Sequence, residues 1–261
     1  MKKKIILGLM LASTFALASC DLFSEGSSLT TQKTTDTATT KPSKTEDTTP
    51  SIPSTKKEMK YEVGVATIDS WTNSIGSSWV KIAVPVKNTG DVDIYLGDMS
   101  ADIESSTGSL LKTISMINAY PDYIKPGETA YYYDETSASF DTTGIKVVPH
   151  VDIHKSSNEV IRYDISDVSI TEDSLSGVKV MGRIENKTSK KGTLVYVAAN
   201  LFDSNDKLIC NCFTILDNDL NAFDKIGFTC SPFAYREVKP SDVARYEIYA
   251  YPTQFNIDFS F

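Results

Sequence analysis

The sequence predicts an all-β protein whose folded part is two tandem antiparallel β-sandwiches, and three observations predict it. Short runs alternate apolar and polar residues with period two, turn residues interrupt them about every eight to twelve positions, and the pattern returns after 98 residues. No long stretch carries the 3.6-residue period of an amphipathic helix.

The clearest strand runs from Val80 to Lys87. Val80, Ile82, Val84 and Val86 lie on one face, Lys81, Ala83, Pro85 and Lys87 on the other, and Asn88-Thr89-Gly90 then turns the chain. Such a run reads as a half-buried strand, and Pro85, which has no amide hydrogen to donate, reads as the mark of an edge or bulged strand. Shifted by 98 residues, Val80-Lys81-Ile82 becomes Val178-Lys179-Val180 and Asn88 becomes Asn186. Ile103 falls on Leu201, the turn Ser106-Thr107-Gly108 on Ser204-Asn205-Asp206, Leu110 on Leu208 and Ala130 on Phe228. A repeat of that length can close its own core, so it reads as a duplicated domain rather than a solenoid unit. The polar run Lys155 to Asn158 marks the boundary and divides the body into residues 61–157 and 158–261. Many short strands favour immunoglobulin-like packing, with room for one helical turn between Leu216 and Phe223.

Within the second repeat, Gly182-Arg183-Ile184-Glu185-Asn186 and Ala199-Asn200-Leu201-Phe202-Asp203 resemble the two signatures of the bacterial FxLYD-type domain family, small immunoglobulin-like modules frequent in lipoproteins. Ala199 stands where that family has Phe, and Phe202 where it has Tyr. The first repeat keeps Val86-Lys87-Asn88 and the Pro126-Gly127-Glu128 turn, but departs further at Ala101-Asp102-Ile103-Glu104-Ser105. The resemblance implies a fold and an envelope setting, and brings no catalytic residue with it.

Ahead of the strands, residues 1–19 have the order of a lipoprotein signal peptide. Lys2, Lys3 and Lys4 precede an apolar run from Ile5 to Leu17 that is too short to span a bilayer, and Leu17-Ala18-Ser19-Cys20 closes it as a lipobox. Cleavage before Cys20 leaves a cysteine that carries lipid, including palmitate-type acyl chains, and so anchors the chain to the extracytoplasmic face of the cell membrane. Residues 20–60 follow as a linker rich in Thr, Ser, Lys, Asp and Pro, with too little apolar surface to offset its ordering entropy and therefore expected to be disordered. About 36 flexible residues give a root-mean-square reach of roughly 30 to 35 Å.

Loss of the three signal lysines changes the formal charge from -8 to 23 basic against 34 acidic residues, or -11. An acidic body repels phosphate backbones and anionic headgroups, which argues against nucleic acid as a partner and leaves the lipid to hold the membrane.

Chemistry-bearing motifs are sparse. The chain has only two histidines, His150 and His154, whose spacing along a strand puts them roughly 13 Å apart, too far for one metal ion. Neither a Gly-x-Ser-x-Gly elbow nor a phosphate-binding glycine loop is present. Asp217-Asn218-Asp219-Leu220-Asn221 begins like a calcium loop, but Ala222 takes the position that needs glycine and Phe228 the one that needs glutamate. No metal or cofactor is expected. Besides Cys20, the cysteines are Cys210, Cys212 and Cys230; Cys230 can form a disulfide with either of the others, or all three can stay as small buried hydrophobes. Tyr131-Tyr132-Tyr133 and the run Tyr246 to Tyr251 put tyrosines on both strand faces, which makes Tyr249 and Tyr251 the candidate contact surface. The expected function is non-enzymatic binding or positioning of an envelope protein or polysaccharide. The competing expectation is an extracytoplasmic hydrolase or metal-dependent enzyme with a carboxylate site built from loops.

Overall fold

Alternating apolar positions can be buried on one side of a sheet only if a second sheet covers them, and the chain meets that demand twice. A computed structural model describes residues 57–232 and 237–253; the signal peptide, Cys20 and nearly all of the expected linker lie outside the described residues. The first half contains β1 (Tyr61–Val63), β2 (Thr67–Thr72), β3 (Ser78–Asn88), β4 (Ile94–Leu96), β5 (Met99–Glu104), β6 (Leu110–Ile117), β7 (Ala119–Tyr120), β8 (Tyr123–Ile124), β9 (Thr129–Ser137), β10 (Lys146–His150) and β11 (Ile153–Lys155). The second contains β12 (Asp164–Asp173), β13 (Gly177–Glu185), β14 (Val195–Phe202), β15 (Leu208–Ile215), β16 (Lys225–Pro232) and β17 (Arg245–Pro252), with one 3-10 turn at Pro240–Asp242. All strand pairs are antiparallel, so the fold is all-β as expected.

The two halves share one topology. In the first, β2-β3-β9 and β10-β5-β6 enclose a core of Val80, Ile82, Val84, Met99, Ala101 and Ile103. In the second, β12-β13-β16 and β17-β14-β15 enclose Val178, Val180, Val197, Ala199, Leu201 and Cys212. The second pair of layers is joined through Cys212↔Pro232 and Phe213↔Ser231, and the far edges meet where the Tyr163 amide donates to the Ala250 carbonyl at 2.8 Å. Extra short strands border the first half: β1 pairs with β3, β7 with β9, and β11-β4-β8 form a small separate sheet.

Equivalent residues make equivalent bonds. The Asn88 side chain donates to the carbonyls of Val92 and Ile124 and accepts from the Gly90 amide. Asn186, 98 residues later, donates to Lys190, Leu220 and Asn221 and accepts from the Thr188 amide. Both side chains are fully buried. The hairpin turns match as well. Ser105 Oγ accepts from the amides of Thr107 and Ser109, and Asp203 Oδ1 accepts from those of Asn205 and Lys207. Gly108 and Asp206 both sit at positive φ, 84° and 62°.

Two expectations about local structure need correction. The run at Val80 is a central strand, flanked by β9 on one side and by β2 and β1 on the other. Pro85 falls in the gap between the last β2 partner, Ala83, and the first β1 partner, Val86, so the missing amide interrupts no ladder on that side. Its supposedly exposed face is also covered, since Lys81 is 0% and Ala83 2% exposed. The segment 216–223 takes no helical turn: Gly192 and Leu220 bridge there instead, each amide donating to the other's carbonyl.

Candidate binding site

A residue 0% exposed that carries an ammonium group demands partners, and Lys81 finds them in both halves. Lys81 Nζ lies 2.8 Å from Asp69 Oδ2 on β2 and donates at 2.8 Å to the Leu208 carbonyl on β15. Lys207, at the start of that hairpin arm, ion-pairs with the same Asp69 from the other side. Burial pushes the Asp69 carboxyl up, but hydrogen bonds from Lys207 and Lys81 outweigh it and hold the group below its ordinary value. Around this charge network Ala83, Tyr133, Phe202 and Leu208 form a third apolar cluster, with Tyr120 and Tyr131 packed against it. The outer face of one sandwich is therefore the cover of the other.

The seam continues along β14 and β17. Asn211 donates to Asn200 Oδ1 at 2.8 Å, and Asn200 donates to the Tyr120 carbonyl at 3.0 Å. Arg162 Nη2 lies 2.7 Å from Glu128 Oε2, and the guanidinium stands over the rings of Tyr249 and Tyr251 at 5.3 and 5.2 Å. Tyr249 donates to the Thr129 carbonyl at 3.5 Å, and the Tyr251 hydroxyl accepts from the Asp122 amide at 3.4 Å. Tyr251 is 2% exposed. The two tyrosines expected to face an outside partner thus meet the first half of their own chain; alternation correctly turned them away from their core, but it carried no information about what covers that face.

At one end the seam stays open. A cavity of about 210 Å³ is lined by Asn118, Ala119, Tyr120, Asp122, Tyr196, Phe213, Ile215 and Tyr251. A second, of about 190 Å³, shares Asn118, Tyr120 and Phe213 and reaches Asp134 and Asn211. Its rings are set at steep angles to one another. Tyr120 and Phe213 are 5.3 Å apart at 55°, Phe213 and Tyr196 5.1 Å at 77°, and Tyr196 and Tyr251 5.9 Å at 76°. Cross-strand register produces this, because Tyr196 is paired with Tyr251 on one side and with Ile215 on the other, while the small Ala198 is paired with Phe213 and Tyr249.

Asp122 is the charged member of the recess. Its Oδ1 is buried and accepts no hydrogen bond. Burial pushes its carboxyl above the ordinary carboxylate range, offset only in part by a hydrogen bond from Tyr251 and by the charge of Arg162. The phenol of Tyr123 is pushed up to about 12, first by burial and then by the charge of Asp122. Tyr95, Tyr120 and Tyr196 are raised by the same two causes, in the same order.

The remaining expected positions are placed as follows. Cys210, Cys212 and Cys230 are buried free thiols in the core of the second half. Contacts from the Cys210 and Cys230 sulfurs, with burial, push the Cys212 thiol well up. His150 and His154 lie on separate short strands, 3.0 Å from Asp102 and 2.8 Å from Asp152, and half-exposed. Asp219 pairs with Lys191, and among the described residues no group of three His, Cys, Asp or Glu side chains is placed to hold a metal ion. Tyr120, Asp122, Tyr196 and Phe213 were not singled out by pattern. The only signal for them was Tyr120-Pro121-Asp122-Tyr123, a carboxylate embedded among aromatics in a turn. Comparison with known proteins finds no matching family model and no matching curated relative.

Proposed function

We propose that the chain is a lipid-anchored, extracytoplasmic, non-enzymatic binding protein, in which two duplicated sandwiches act together to hold or position an envelope component. The observation that carries this reading is the recess at the seam, whose walls come from both halves: Tyr120 and Asp122 from the first, Tyr196, Phe213 and Tyr251 from the second. Rings and one carboxylate in a concave setting suit recognition, where a few polar groups orient a ligand that apolar surface holds. The matched bonding of Asn88 and Asn186 supports the duplication, and the lipobox ending at Cys20 supports the anchor. Confinement by lipid raises the local concentration of the pair toward partners in the same layer, so modest affinity suffices.

Replacing Cys20 with alanine tests the address. The variant should leave the membrane fraction and keep its signal segment; unchanged processing and membrane partitioning would remove the anchor from the proposal. Crosslinking in intact cells, with the wild-type chain, should then capture an envelope component.

A further inference from the structure

The recess has a property that binding in general does not explain: it places a buried carboxylate oxygen with no partner beside four aromatic rings. Such burial is costly, because a carboxylate in an apolar surround loses its hydration, and hydrogen bonds from Tyr251 and from the amides of Asp122 and Tyr123 offset the cost only in part. The charge of Arg162 acts on Asp122 without an ion pair between them, and its Nη1 is buried with no hydrogen-bond partner. Arg162 contacts Glu128 through Nε and Nη2 and donates to the Tyr123 carbonyl, and among the described residues no basic group forms an ion pair with Asp122. The rings add a second and independent preference, since the faces of tyrosine and phenylalanine carry negative potential and attract a cation within about 6 Å. The pairs Phe213–Tyr196 and Tyr196–Tyr251 stand at 5.1 and 5.9 Å and 77° and 76°. Both pairs are edge-to-face contacts, so the rings brace one another along the wall of the recess.

We propose that this recess binds an organic ammonium group, with Tyr120, Phe213, Tyr196 and Tyr251 as walls and the Asp122 carboxylate as counter-ion. Its volume, about 210 Å³, is below the roughly 300–1,000 Å³ of pockets that engulf a drug-sized ligand. It accommodates a head group such as trimethylammonium or a primary alkylammonium. The inference rests on the binding reading above and names the chemistry of its ligand. The charged group that faces Asp122 is Arg162, ahead of β12, and the titratable neutral groups are the phenols of Tyr95 on β4, Tyr120 on β7, Tyr123 on β8, Tyr196 on β14 and Tyr251 on β17.

The test is calorimetric titration of the full chain in detergent with choline, and with its uncharged analogue 3,3-dimethyl-1-butanol. Choline should bind, and the neutral analogue should bind about tenfold more weakly or worse. Asp122→Asn keeps the shape and removes the charge, so it should retain the unfolding temperature yet lower choline affinity about tenfold or more. Tyr196→Leu should weaken binding similarly while leaving Asp122 in place. Equal affinity for the neutral analogue, an Asp122→Asn variant that binds choline as well as wild type, or absence of binding by both choline and butylamine at millimolar concentration would each overturn the proposal. Failure of the ammonium site alone leaves in-cell crosslinking intact in Asp122→Asn, whereas failure of the wider binding reading removes the crosslink from the wild type.

Discussion

Asn186 shows what a single polar side chain does in this fold. Buried just after β13, it donates to the carbonyls of Lys190, Leu220 and Asn221 and accepts from the Thr188 amide. Replacing it with alanine removes these bonds from a buried site and leaves the Thr188 amide without its acceptor, and we expect Asn186→Ala to lower unfolding free energy by about 1 to 3 kcal/mol. Asn88→Ala should cost a similar amount, because its bonds are the same in kind. Chemical denaturation of the two variants measures both. Asn88 was legible as a turn residue from its neighbours Thr89-Gly90, and Asn186 as its equivalent 98 residues on. Their burial was not, since a turn signal describes backbone and leaves open which carbonyls will come within reach. The cysteines differ in kind: their shared apolar face was legible from the alternation, whereas their state as free thiols in one core came from the packing.

At the scale of elements, the hairpin β5–β6 and its counterpart β14–β15 use one turn geometry with different chemistry. Gly108 supplies the left-handed backbone in the first, and Asp206, held by Arg245 at 2.6 Å, supplies it in the second. A side chain added at Gly108 would meet nothing within 4 Å, so Gly108→Ala tests backbone strain without a clash. It should cost about 1 kcal/mol by thermal unfolding, with the fold intact. Period-two patterning identified β3 and placed its core face correctly. It misjudged the other face, because Lys81 and Pro85 carry the usual marks of an exposed edge, while here one is neutralised by Asp69 and the other sits in a break between flanking strands. Local signals report what a residue tolerates in water, and packing then supplied partners that water would otherwise have been.

At the scale of the molecule, the described residues from 57 onward belong to one compact unit, Ser54–Phe261, despite their two cores. Phe202 links them. It is 1% exposed, meets Tyr131 of the first half edge-on at 5.3 Å, and lies under the Arg245 guanidinium at 3.7 Å. The shared cluster predicts one cooperative thermal transition for the wild type. Phe202→Ala should remove about 3 to 4 kcal/mol and separate the transition into two, as scanning calorimetry would show. The sequence by itself determined the strand class and the inward core faces, because both are written in local periodicity. Only the tertiary structure decided that the outer tyrosines face the chain's other half, and that Asp122 and four rings from distant strands share one recess. Those contacts join positions as far apart as Tyr120 and Tyr251, and no local pattern encodes which of two outward faces will cover the other.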